Sequence, residues 1–370
     1  MVIRLYVELK KVLKKANCFF ITDSGNFIDS KVELTPNSIR IIRKDAELTW
    51  NLSLLEYKLS TDQPPLKLLN GDQVLSVLVR VEEQCERPFP VISLTAYQTR
   101  LVDLLKEGKE VVCNFCQTTL LDSSKYERVM PLPSSGWMEM ADSWYCHQPN
   151  CTTSDHSQTL SPKHGDLLVG VFSCLTLFSH VCNTRLDSST LRCQHCNSTV
   201  GELVLPFTDG LEREVELHND KISYQQSQQS EKDHLPLISV EKSLSSTIIE
   251  QCQTMMTYKF LLEHKSCKKA SVSLLIWVLE LDTRLLFASE GYIDCFDAIK
   301  VLFISATEAG PQMVADWMAD NKVNTIVMTQ SACEQTERIL LESQGCLSNL
   351  PSKVNNMKVG FLRQEHLEGS

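Results

Sequence analysis

Apolar and polar residues alternate along much of the first hundred positions. Arg4–Leu9, Lys31–Leu34, Ser38–Arg43 and Glu47–Leu52 each follow a two-residue period, and Gln73–Val81 is a stronger apolar run. Turn-forming clusters separate them: Thr35-Pro36-Asn37, Pro64-Pro65 and Asn70-Gly71-Asp72. This pattern predicts strand after strand to about residue 105, in an antiparallel sheet or sandwich. Thr199–Pro206 reads as a further strand, with Gly201 close behind a cysteine pair.

The pattern changes after residue 217. Tyr224-Gln-Gln-Ser-Gln-Gln-Ser-Glu-Lys-Asp has no apolar period, so residues 218–236 read as a linker or long exposed loop. In Ser243–Leu262, Leu244, Ile248, Ile249, Cys252, Met255 and Met256 recur at helical spacing. Ser271–Leu279 and Arg284–Ser289 flank Asp282-Thr283 as a predicted hairpin. Lys300–Ser305, Val323–Met328 and Met357–Leu362 read as strands, and Ser331–Ser343 as a helix. Pro311 is expected to open a helix through Asp320, since proline suits a first helical position. No internal repeat is expected. The fold class is therefore α+β, in four parts: an antiparallel β domain (1–105), a β-rich domain (106–217), the linker (218–236) and an α/β lobe (237–370).

Composition narrows the chemistry. With 370 residues, 43% of them hydrophobic, the chain can bury more than one core. The first residues lack an apolar signal-peptide core, and no stretch approaches 18 consecutive apolar residues, so neither export nor a membrane partner is expected. A net charge of −10 argues against direct nucleic-acid binding, which needs a basic face. Fifteen cysteines in a reducing compartment, cytoplasm or nucleus, point to metal or thiol chemistry rather than disulfides. Thirteen glycines and no phosphate-binding glycine loop argue against a nucleotide fold.

The cysteines fall into a telling arrangement. Cys113-Asn-Phe-Cys116 and Cys193-Gln-His-Cys196 are two Cys-x-x-Cys knuckles. Together they can supply four thiolates to one tetrahedral zinc, a closed and structural shell. Chance spacing in a cysteine-rich chain and a redox dithiol are the competing readings. Trp144-Tyr-Cys146-His147, with Cys151 and His156 nearby, admits a second metal, a partner-binding surface or plain packing. Trp137 lies before it. Ser331 and Glu334 have capping-box spacing. That would put Cys333 in a first helical turn on an exposed corner, where free amides favour a thiolate. The other reading of Cys333 is a buried small apolar residue. Cys346 and Cys295 are lesser candidates.

The run Cys113-x-x-Cys116, Arg128-Val-Met-Pro-Leu-Pro-Ser-Ser-Gly-Trp137, Trp144-Tyr-Cys-His147, Gly165-Asp166 and Cys193-x-x-Cys196 with Gly201-Glu202 resembles the HECT-like ubiquitin ligase family that binds ubiquitin-conjugating enzymes. Asn349-Leu-Pro-Ser-Lys-Val-Asn-Asn-Met-Lys-Val-Gly-Phe-Leu362 is similar to that family's ending. The resemblance implies a ubiquitin-protein ligase. It would accept ubiquitin from a conjugating enzyme as a cysteine thioester and pass it to substrates such as a cyclin, with Cys333 as the catalytic carrier in a HECT-like C-terminal lobe. Pro131, Leu132, Pro133, Trp137, Trp144, Cys146 and His147 would contact the conjugating enzyme. The chain reads Val327-Met-Thr-Gln-Ser-Ala-Cys333, without the Leu-Pro and Thr-Cys that usually frame a HECT nucleophile. The alternative the family offers is a non-catalytic adaptor or inhibitor of the pre-mRNA 3′-end processing endonuclease. The paired knuckles are also similar, at the level of fold, to β-tent zinc domains of the Yippee and cereblon type.

Overall fold

A computed structural model describes residues 3–23, 26–44, 46–62, 66–69, 73–83, 94–122, 125–132, 162–204, 212–225, 239–266, 269–289, 292–345 and 353–364. Most of these are strand, with four α-helices among them: α1 (Leu94–Lys106), α2 (Val240–Met255), α3 (Ala306–Ala319) and α4 (Gln330–Gly345). The fold is α+β with β dominant. None of these helices is long and apolar enough to cross a membrane. The chain divides into two compact units: Met1–Val91, Ile276–Ile304 and Glu337–Ser370 form one, and Ile92–Leu275 and Ser305–Thr336 the other.

In the first unit, alternation does what the sequence predicts. Ile3–Lys10 pairs antiparallel with Lys15–Thr22, which pairs antiparallel with Val74–Glu83. Leu5, Val7, Leu9 and Phe20 enter a core that also takes Ile39, Ile41 and Trp50 from the small antiparallel sheet Lys31–Thr35, Ser38–Ile42 and Glu47–Asn51. On its other side Ile3–Lys10 pairs with Lys269–Ser289, and Tyr292–Ser305 pairs with Met357–Gln364. The hairpin expected around Asp282-Thr283 does not form. Lys269–Ser289 is one continuous strand, in which Thr283 is fully buried opposite Lys10 and Asp282 is paired with Lys11. The ladder with Ile3–Lys10 reaches Thr283 and the Lys11 ion pair holds Asp282 beside it, which outweighs their weak turn preference.

The second unit holds a seven-stranded sheet in the order Arg128–Pro131, Asp166–Val169, Ser173–Leu177, Glu214–His218, Thr199–Leu203, Thr190–Cys193, Thr184–Asp187. A three-stranded sheet of Thr119–Leu121, Glu110–Cys113 and Ile222–Gln225 shares its core. Helix α1 closes that core with Tyr97, Leu101, Val102 and Leu105. The strand pattern expected to about residue 105 gives way here to a helix, because those residues recur at three- and four-residue intervals. Ile222–Gln225 lies within the segment read as a linker. Ile222 and Tyr224 point into the core while Ser223 does not, a two-residue period too short to stand out beside the glutamines. The rest of that segment, from 226, lies outside the described residues.

Further along, the helix read through Leu262 stops at Met255, with Met256 in a left-handed cap. Lys259–Ser266 is instead a strand, parallel to Val323–Met328. In α3 the helix starts at Ala306 behind Ser305, which accepts from the Glu308 amide, and breaks at Gly310 (φ 76°) before Pro311 starts the remaining turns.

Candidate metal centre

Each Cys-x-x-Cys pair sits at the tip of a β-hairpin. Glu110–Cys113 leads into the first knuckle and Thr119–Leu121 leaves it; Thr190–Cys193 and Thr199–Leu203 do the same for the second. The two tips follow one hydrogen-bond plan. The Cys113 amide donates to Thr118 O (2.8 Å) and the Gln117 amide to Cys113 O (2.8 Å). The Cys193 amide donates to Ser198 O (2.9 Å) and the Asn197 amide to Cys193 O (3.0 Å). Gln117 (φ 59°) and Asn197 (φ 64°) take the left-handed conformation that turns the chain back. The sequences Cys113-Asn-Phe-Cys116-Gln-Thr-Thr-Leu120 and Cys193-Gln-His-Cys196-Asn-Ser-Thr-Val200 match in character position by position. This short internal repeat corrects the expectation that there is none; it is too brief to register as periodicity.

Cys182 and Asn183 sew the hairpins together. The Cys182 amide donates to Leu120 O (2.8 Å), the Asn183 side chain to Thr119 O (2.8 Å), and the Gln194 amide to Asn183 O (2.8 Å). The tips then face each other with Cys113 Sγ 3.7 Å from Cys196 Sγ and Cys116 Sγ 3.6 Å from Cys193 Sγ. All four sulfurs lie within 4.8 Å of one another. Four sulfurs at 2.3 Å around a tetrahedral zinc would stand about 3.8 Å apart. Cys113 and Cys193 are fully buried in the core of the unit, while Cys116 and Cys196 are half-buried.

Hydrogen bonds to sulfur repeat with the fold. Cys113 receives the amides of Phe115 and Cys116, and Cys193 those of His195 and Cys196. The Cys116 thiol donates to Thr118 Oγ1 (3.2 Å); as a thiolate Cys116 would instead receive the hydroxyl and amide of Thr118, and Cys196 those of Ser198. Burial pushes the Cys113 and Cys193 thiols up. The Thr118 hydroxyl leads in pulling Cys116 down, and at Cys196 burial is outweighed by the Ser198 hydroxyl and amide. Donors converging on all four sulfurs suit thiolates better than thiols. Separation, closure and donor set all fit a four-thiolate metal site. Among the described residues no other His, Cys, Asp and Glu group has this form.

The segment expected to meet a conjugating enzyme begins at the sheet edge. Pro131 ends the strand Arg128–Pro131 and is exposed; Leu132 follows, its carbonyl held by the Gln98 side chain (2.6 Å), which also reaches Val169 O. Pro133, Trp137, Trp144, Cys146 and His147 lie outside the described residues, as do Cys151, His156 and Cys346. The other motif residues secure the strand. Arg128 grips the buried Asp166 carboxylate with two bonds of 2.7 and 2.9 Å. Gly165 (φ 80°) turns the chain into Asp166–Val169. Gly201 lies against the neighbouring strand, where an added Cβ would be 2.1 Å from Glu216 O.

Cys333 is not on an exposed corner. Thr329, rather than Ser331, caps α4 by accepting the Ala332 amide (3.1 Å), and Glu334 is held by Gln330 (2.8 Å). The Cys333 amide already bonds Thr329 O. The helix therefore begins earlier than the capping-box spacing suggests, and the free amides are not at Cys333. Its side chain is 1% exposed, and burial pushes the thiol up to about 11. Ser273 hydrogen-bonds its sulfur, and the Ser273 Oγ is 3.0 Å from His264 Nδ1. Sequence reading missed these two partners, which precede Cys333 by 60 residues and more. Cys295, half-buried, receives the Arg284 guanidinium at 3.4 Å, yet burial keeps its thiol raised.

Comparison with known proteins adds the family. The model of the HECT-like ubiquitin-conjugating enzyme (E2)-binding family matches residues 3–361. An E3 ubiquitin-protein ligase of Mus musculus is 20% identical over 381 aligned positions, covering 97% of this chain and 98% of its own. The Homo sapiens E3 ubiquitin-protein ligase of the same name is 21% identical, covering 72% and 77%. An uncharacterized protein of Saccharomyces cerevisiae is 24% identical over 100 positions, 25% of this chain and 28% of its own. No solved structure matches the chain.

Proposed function

The chain belongs to the HECT-like ubiquitin-conjugating enzyme (E2)-binding family, and from that premise we propose that it serves ubiquitin ligation as a platform for a conjugating enzyme, without carrying ubiquitin itself. Zinc in the four-cysteine site clamps the platform. The strand Arg128–Pro131 launches the docking segment, 131–147. The shell is closed, so the metal shapes and does not catalyse.

The burial of Cys333 carries this reading. Transthiolation needs an accessible thiolate. A thiol that burial holds near 11 is almost wholly protonated at neutral pH. Substrates, a cyclin among them, would be brought to the charged conjugating enzyme on this platform. The site of action is cytoplasmic or nuclear.

One observation favours a second reading, with Cys333 as thioester carrier. The chain Cys333–Ser273–His264 joins a thiol to a half-buried imidazole, a path along which a proton can leave once the first turn of α4 opens. An in-vitro ubiquitin transfer assay with wild type and Cys333→Ala separates the two. The platform reading expects equal rates and no reductant-sensitive adduct. A thioester that vanishes in Cys333→Ala, with transfer lost, overturns it. Conjugating-enzyme binding with no transfer in any variant points to the non-catalytic role, such as restraint of the 3′-end processing endonuclease.

A further inference from the structure

The repeat places two hydroxyls at equivalent positions beside the sulfurs that are less buried. Thr118 Oγ1 is 3.2 Å from Cys116 Sγ, and Ser198, whose carbonyl accepts the Cys193 amide as that of Thr118 accepts the Cys113 amide, holds the same place in the second tip and draws the Cys196 thiol down. Apart from the cysteine thiols themselves, which meet as Cys113–Cys196 and Cys116–Cys193, the other donors to these sulfurs are backbone amides, fixed by the hairpin turn itself. The hydroxyls are the part of the cradle set by side-chain choice. A divalent ion with four thiolates carries two net negative charges in a unit whose core is apolar. Each donor to sulfur draws off some of that charge and makes the sulfur a poorer nucleophile.

We propose that Thr118 and Ser198 are a matched pair of positioning residues for the metal centre, each donating its hydroxyl to a coordinating thiolate and so retaining the metal and shielding the half-buried sulfurs from attack. This rests on the metal reading above. It goes beyond it by assigning a role to two residues that touch no metal.

The test uses the full chain loaded with Co(II), whose sulfur-to-metal charge-transfer bands report electron density on sulfur. Thr118→Val and Ser198→Ala remove the hydroxyls at nearly constant shape; Thr118→Ser and Ser198→Thr keep them. Both removals should move the bands to lower energy, with the double variant moving further. Zinc should pass to a competing chelator with an affinity loss of about 10- to 100-fold. The conservative variants should behave as wild type. Bands and chelator competition unchanged in both removals, with Co(II) bound normally, overturn this inference alone. Wild type that takes up no Co(II) overturns the metal reading and this inference with it.

Discussion

Replacing Cys193 with serine removes, at a buried position, one of the four sulfurs of the proposed clamp. The stretch between Cys116 and Cys193 is 76 residues, all inside the second unit. A cross-link closing a loop of that size restricts the unfolded chain by about 4.5 kcal/mol, on the chain-entropy relation used for disulfides. Treating the metal as such a cross-link, Cys193→Ser loses most of that term. For a unit of this size each kcal/mol moves the midpoint by roughly 2–4 °C, so the transition should fall by about 10–20 °C. Calorimetry with and without a zinc chelator measures it, alongside zinc content by elemental analysis. Chelated wild type should melt near the variant, and the variant should hardly respond to chelator. A Cys193→Ser chain that keeps one zinc and melts like wild type would refute the reasoning. So would a wild type whose transition ignores the chelator.

Three further outcomes are expected. Gly201→Ala forces a methyl against the Glu216 carbonyl within a buried strand pair, and should destabilise the unit by about 3 kcal/mol or more in denaturant titrations. Arg128→Ala leaves the Asp166 carboxylate buried with the Lys163 amide as a remaining donor; about 2 kcal/mol should be lost, Arg128 being half exposed, and conjugating-enzyme binding should weaken if this strand positions the docking segment. His180 is buried, and burial first, then His164, pushes its imidazole below the ordinary value. The unfolded chain therefore binds that proton more readily, so stability is undiminished above about pH 6.5 and declines as pH falls below it. Urea midpoints at pH 7.5 and 5.5 should show this decline in wild type and a smaller one in His180→Phe.

Much of this protein can be read from local sequence, for a simple reason. Alternation over Lys31–Leu34 or Ser38–Arg43 and the Cys-x-x-Cys spacing are properties of adjacent residues, and the backbone has few ways to satisfy them. Those elements and the ligand set need no tertiary information. The family motif is equally local, although the structure shows that Arg128, Gly165 and Asp166 within it secure a strand.

Where the readings differ, a partner distant in sequence made the choice. Asp282-Thr283 resembles a turn until Ile3–Lys10 pairs alongside it. Ile222 and Tyr224 disappear among glutamines until Glu110–Cys113 offers them a core-facing ladder. Thr329 took the cap of α4 from Ser331, and with it went the exposed corner assigned to Cys333. Its burial, and its link through Ser273 to His264, belong to the packing of three separate segments. The sequence by itself determined which sulfurs could share a metal, because two-residue spacing is covalent. Only the tertiary structure decided that they meet, and that Cys333 is closed to solvent, because burial is a property of everything packed around a residue.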